Sequence, residues 1–210
     1  GQSEQSKQGH HSFGRFGGSV EIGGASGNYF IGFIQDFRFF QSFGFYKHNF
    51  NPPSELLYSC AEDPINPDCS NVMVHVQTRF DDIYLYDRSG KYNSIRSFGD
   101  VIIDQDSYLS HGASILFGED KSSKINITSG NRSDFELKDS EDFTIETFIN
   151  WCPHLNYQKD IILANIESSI SNLQSIRSGD FVLGIESEDG SDVIFFTYRN
   201  TYVNKNLKHS

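Results

Sequence analysis

The chain has 210 residues, with 28 acidic against 17 basic side chains and a formal net charge of −11. That balance repels a phosphate backbone, which excludes nucleic-acid binding, and it disfavours anionic membrane surfaces for the same reason. No apolar run approaches the roughly 18 residues of a spanning helix, so no membrane insertion is expected.

The length suits one large or two small domains. Phenylalanine is abundant at 19 residues, while Met and Trp occur once each. Aromatic and β-branched residues with 18 glycines and few helix-favouring stretches predict strands.

Residues 1–18 are polar and glycine-rich and read as a loose segment. With no initiating Met, the start is expected to be a processed or cut point. Ser19 to Ile22 alternates as a short strand, and residues 28–40 (NYFIGFIQDFRFF) read as a long strand containing Gly32. Pro52 and Pro53 stop it, because proline sustains neither a ladder nor a helix. Residues 51–70 carry four prolines and two cysteines and read as a linker.

Strand candidates resume at Val72 to Val76 and at Ile83 to Tyr86, before the turn Asp87-Arg88-Ser89-Gly90. More follow at Ser114 to Phe117, Lys124 to Ile127, Phe143 to Ile149, Ile161 to Ala164, Phe181 to Ile185 and Val193 to Tyr198. Residues 166–176 are the only helix-compatible piece. Short strands separated by Gly, Asp, Ser and Asn turns predict an all-β, antiparallel two-sheet sandwich or jelly roll.

Cys60 and Cys69 flank a turn-rich loop. They are a candidate disulfide in an oxidising setting, or else two free thiols. Cys152 follows Trp151 in a predicted strand and reads as a core filler. Catalytic patterns are lacking. Glu186 and Glu188 would share one strand face, but Asp189-Gly190 behind them reads as a solvated hairpin turn. Glu146 alternates with apolar residues in a structural pattern. His10-His11 lies in the loose N-terminal stretch, and Gly23 to Gly27 lacks the Lys-Ser/Thr and helix of a phosphate loop. Tyr84, Tyr86, Tyr198 and Tyr202 are available to stack on a glycan, without a sequence signal to sort them from core aromatics. Asn126-Ile127-Thr128 and Asn131-Arg132-Ser133 fit the glycosylation sequon.

Two stretches resemble the laminin-G-like, concanavalin A-like lectin and glucanase superfamily. One is Asp142-Phe143-Thr144-Ile145-Glu146 with Trp151, preceded by Asp87-Arg88-Ser89-Gly90 and by Gly112-Ala113-Ser114-Ile115-Leu116-Phe117-Gly118. These are similar to the early and central strands of such domains. The other is residues 30–38 with the following residues 46–53, similar to the closing strand. There Gln35 replaces the usual first Asp and Phe39-Phe40 the usual Ile-Thr. The resemblance covers about residues 17–53 and 80–198.

The closing motif precedes the opening ones. The resemblance therefore implies the end of one module at 1–59, a linker at 60–70, and the start and centre of a second module at 71–210, with its late strands missing. A rival account joins the two parts into one sandwich, by permutation or by exchange between copies. An incomplete concanavalin A-like jelly roll leaves unpaired edges for other copies or neighbouring structural proteins to cover. The resemblance also implies calcium held by loop carboxylates, with Asp87 and Asn93 as candidate ligands. The competing reading is an Asp-initiated turn that caps its own backbone. No catalytic residue is assigned. The functional expectation is a non-catalytic structural or adhesion module of a virion or phage surface, a fibre, spike or decoration protein, with glycan as the candidate ligand. The alternatives are a secreted carbohydrate-binding domain of a cellular protein and, behind it, a glycoside hydrolase.

Overall fold

The computed structural model describes residues 18–25, 27–42, 67–107, 112–130, 132–135, 137, 142–152, 159–165, 181–188, 191–199 and 204–209. In chain order the strands are β1 (Ser19–Ile22), β2 (Gly24–Ala25), β3 (Asn28–Tyr29), β4 (Gly32–Gln41), β5 (Val72–Val76), β6 (Ser94–Phe98) and β7 (Val101–Asp104). They continue with β8 (Ser114–Phe117), β9 (Lys124–Thr128), β10 (Phe143–Trp151), β11 (Lys159–Asn165), β12 (Phe181–Glu188), β13 (Ser191–Arg199) and β14 (Asn204–His209). Two short 3-10 turns, Pro67–Asn71 and Arg132–Phe135, complete the described elements.

The chain is all-β and sandwich-like. A seven-stranded antiparallel sheet runs β14-β13-β12-β11-β1-β9-β6. A five-stranded sheet runs β10-β4-β8-β7, with β5 also paired to β4. The segments that the motif order assigns to different modules interleave in both sheets. β1 lies between β9 and β11, and β4 lies between β10 on one edge and β8 and β5 on the other.

One strand organises the smaller sheet. Gly32 to Ile34 of β4 pair with β8, whereas Phe37 to Phe40 pair with β5. Between them Asp36 adopts a left-handed backbone with φ 57°, a conformation that Asp tolerates better than most residues. Opposite it the β10 register slips, so that Glu146 faces Arg38 while Phe148 faces Gln35. One extra residue in β4 makes a bulge. Its effect on side chains is decisive. Ile34, Phe37 and Phe39 all join the core, a spacing of three and then two that an unbroken strand of period two would forbid.

The bulge is held by polar groups that are themselves buried. Asp36 Oδ1 lies 2.6 Å from His75 Nε2 and accepts from Gln77 Nε2 at 3.3 Å, and all three side chains are shut off from solvent. Next to it Arg38, 2% exposed, meets Glu146 Oε2 at 2.7 Å and lies over the Phe40 ring.

A run of phenylalanine rings links the two sheets. Phe143 of β10 stacks on Phe196 of β13 at 5.4 Å between centroids. Phe196 neighbours Phe181 of β12, and Phe181 neighbours Phe39 of β4 at 5.7 Å. The chain of rings therefore crosses twice between the sheets. Each buried ring contributes about 1.5–3 kcal/mol by removal from water, with a further ~0.5–1.5 kcal/mol per well-placed pair. At the other end Phe30 meets Phe117 edge to face, at 5.9 Å and 80°.

Several expectations are corrected. The long run 28–40 divides into β3 and β4 at Gly32, whose φ is 139° and where a Cβ would fall 2.3 Å from the Asn150 carbonyl oxygen. Ile83 to Tyr86 forms no strand. It has the apolar content of one but no ladder partner, and Ile83 is 77% exposed. β6 and β7 are strands that the pattern does not announce. β14 pairs with β13 beyond the last predicted strand, so a late strand is present. Cys152 is exposed, not a core filler, because β10 ends at Trp151 and the cysteine lies just beyond the strand. Among the described residues, no helix is long and apolar enough to cross a membrane. Residues 166–176 lie outside the described residues.

Leaving either member of the Arg38–Glu146 pair alone in the core should be costly. Glu146→Ala is expected to lower stability by about 3–5 kcal/mol in urea unfolding, while replacing both residues by Met and Leu should return most of that loss.

Candidate functional site

A cleft of about 450 Å³ opens on the outer face of the five-stranded sheet. β4 brings Phe33 and Gln35 to it, β10 brings Phe148 and Asn150, and β8 brings Ser114. The register explains the convergence: Phe33 faces Asn150 and Gln35 faces Phe148 across the β4–β10 ladder. On β4 these residues sit on the side opposite core residue Ile34, as the alternation of a strand requires.

The rim is made by a local turn. Asp104, at the end of β7, accepts the backbone N–H of Asp106 at 2.7 Å and of Ser107 at 3.1 Å through one carboxylate oxygen. An Asp that captures its own following backbone makes such a turn without help from the rest of the fold. It carries Asp106 and Ser107 to the mouth of the cleft.

The floor combines apolar faces with polar groups. Phe33 and Phe148 are half-buried. The Gln35 amide is buried and donates to the Ala113 carbonyl at 3.3 Å, which fixes its orientation. Ser114 is 2% exposed, and its hydroxyl has no hydrogen-bond partner. A buried hydroxyl left unpaired costs about 1–3 kcal/mol, and this one lies beside the cleft. Among the described residues lining the cleft, Asp106 is the sole carboxylate.

The candidate calcium ligands come together, but as a turn. Asp87 Oδ1 accepts from the backbone N–H groups of His75 and Ser89, and Oδ2 accepts from the Ser89 hydroxyl, the Asn93 N–H and Asn93 Nδ2. Five donors saturate the roughly four lone-pair sites of a carboxylate. The amide of Asn93 also donates to the Met73 carbonyl at 2.7 Å. Two acceptors thus fix its NH₂, and not its oxygen, toward Asp87. Both residues act as a bracket joining β5 to the turn before β6, the carboxylate of Asp87 serving donors of the protein itself. Among the described residues, no group of three or more His, Cys, Asp or Glu side chains is placed to hold a metal ion.

Cys69 is disulfide-bonded and buried, and Cys60 lies outside the described residues. β12 ends at Glu188 and β13 begins at Ser191, with those two residues in register, and Asp189 and Gly190 lie outside the described residues. Glu146 is committed to Arg38. Tyr84 and Tyr86 are exposed on the loop before β6, away from the residues that line the cleft. Tyr202, His10, His11 and Asn131 lie outside the described residues, as does the side chain of Tyr198. The sequon residue Asn126 sits mid-strand in β9, its side-chain oxygen accepting from the Thr128 hydroxyl. The cleft residues were hidden in strands that read as core. A polar residue, Ser114, opening an otherwise apolar strand was the one signal of them.

A second surface lies where the sheets end. β6 and β7 are the terminal strands of their sheets on the described residues. A groove of about 500 Å³ between them is lined by Ile83, Tyr84, Leu85, Ile95 and Ile102 among others. Of the exposed large apolar residues, all but Ile194 fall between Phe80 and Ile102.

Two outcomes test these assignments. Ser114→Ala should leave stability unchanged or raise it by about 1 kcal/mol in thermal unfolding, because the hydroxyl it removes has no partner. Asp87→Ala should cost roughly 2–4 kcal/mol, by the same amount with calcium present or chelated, since the carboxylate serves protein donors.

No family model matches the chain, no curated protein matches it, and no solved structure matches it, so its function is argued from these surfaces.

Proposed function

We propose that this chain is a non-catalytic structural and adhesion module of a virion or phage surface, with a jelly-roll connectivity of the concanavalin A-like kind, and that it holds glycan in the cleft of the five-stranded sheet. The observation that carries the reading is the unpartnered, buried Ser114 hydroxyl set among the half-buried rings of Phe33 and Phe148. A sugar ring offers C–H faces to aromatic side chains and hydroxyls to fixed polar groups, and this cleft presents both kinds of surface.

The lining also supports a binding role over hydrolysis. Glycoside hydrolysis needs two carboxyl groups roughly 5–9.5 Å apart, and among the described lining residues Asp106 stands without a second.

The assembly part of the reading is supported by the side of the sandwich where β6 and β7 end their sheets among the described residues. Strand edges left without a partner among the described residues ask for a partner that presents edges of its own. A second copy of this chain does so by symmetry. The exposed apolar residues Phe98 and Ile102 lie on those edges.

The test is a glycan array followed by titration, run with light scattering on the same sample. Binding that falls about tenfold in Phe148→Ala and Ser114→Ala, in a protein that forms a symmetric oligomer, supports the proposal. Ile102→Lys should shift the oligomer toward monomer without touching glycan affinity. A monomer with intact glycan binding would instead favour the secreted carbohydrate-binding alternative.

A further inference from the structure

We infer that the cleft selects uncharged saccharides and discriminates against those that carry a carboxylate, such as uronic or sialic acids. This rests on the glycan-binding reading above and adds the class of sugar.

Recognition of a carboxylate in a protein site calls for Arg or Lys, or for a cluster of free backbone N–H groups, to offset the charge. The described lining of this cleft contains no Arg, Lys or His. The cation that shares β4 with Phe33 and Gln35 is Arg38. It is 2% exposed and held by Glu146 at 2.7 Å, so its charge is already matched. The turn at the rim has spent two of its N–H groups as well, because Asp106 N and Ser107 N both donate to Asp104.

What the rim does present is negative. Asp106 is exposed at the mouth and belongs to no ion pair found among the described residues. The chain around it carries a net charge of −11. A ligand carboxylate would meet this group with no compensating cation, whereas sugar hydroxyls would donate to it in charge-assisted hydrogen bonds. The Gln35 amide is already tied to Ala113, and the remaining polar groups, the amide of Asn150 and the hydroxyls of Ser107 and Ser114, are neutral and suit hydroxyl partners. A neutral, hydroxyl-rich ring with an apolar face suits these groups, and an acidic one meets the Asp106 carboxylate with a repulsion.

The experiment uses the full chain and matched probes: lactose against sialyllactose, and galacto-oligosaccharides against oligogalacturonates, by calorimetric titration. The neutral member of a pair is expected to bind about tenfold more tightly, and Asp106→Asn should bring the two members close together. Asp106 is exposed, so this variant tests charge without disturbing the core. An acidic member that binds as well as its neutral partner overturns the selectivity and leaves the glycan reading standing. Discrimination that persists unchanged in Asp106→Asn overturns the assignment of selectivity to this cleft. Failure of every probe, neutral and acidic, overturns the glycan reading and the selectivity with it.

Discussion

The left-handed residue at position 36 is the constraint on which the smaller sheet depends. With it, β4 changes parity midway. Ile34 on one side and Phe37 and Phe39 on the other all reach the core, and one edge of the strand is divided between β8 and β5. Without it, Phe37 and Phe39 would face outward, and the ring contact from Phe39 to Phe181 that ties the sheets would be lost. The fold stabilises this unusual backbone with the same side chain that adopts it. The Asp36 carboxylate binds His75 and Gln77 of the neighbouring strand region, so forming the bulge and docking β5 are one event. A buried polar group of this sort contributes less to net stability than to choosing a single register.

The outer face of the same sheet inherits its chemistry from that change of parity. Residues before the bulge, Phe33 and Gln35, point to the cleft. Beyond it the outward position falls to Arg38, which is closed off by Glu146 from β10. The face is thus divided into an open half, with aromatic and neutral polar groups, and a sealed half with a matched ion pair. The open half is where the sheet leaves a hydroxyl unpaired. Sites that bind something regularly retain groups that the free fold would be better without.

The sequence was legible where a strand is half-buried and alternates. β1, β5 and β10 follow from alternation, and β8, β9, β11, β12 and β13 from short strand-type runs bounded by turn residues. It was misleading where apolar content is not matched by a ladder partner: Ile83 to Tyr86 looks like a strand, yet among the described residues it pairs with none. The opposite error hid β6, whose Ser and Arg content reads as loop, and the four-residue β7, although their backbone groups are taken up by β9 and β8. The turn at Asp87 was legible as an Asp-initiated turn. That its carboxylate gathers donors from residues 75, 89 and 93 was not, because β5 contributes one of them from twelve residues upstream. The cleft was the least legible part. An unpaired hydroxyl is a statement about what is absent around an atom in three dimensions, and no spacing in the chain encodes it.

One residue carries an optical consequence. The chain has a single tryptophan, and Trp151 at the end of β10 donates its indole N–H across the sandwich to Asp160 of β11 at 2.7 Å. That bond is made between one sheet and the other, beside Asn150 at the cleft. An indole bonded to a carboxylate in a half-buried setting emits differently from one in water, and no second indole contributes background. The intrinsic fluorescence of this chain therefore reports, without any label, on whether its two sheets are together, and it does so from the position next to the proposed ligand.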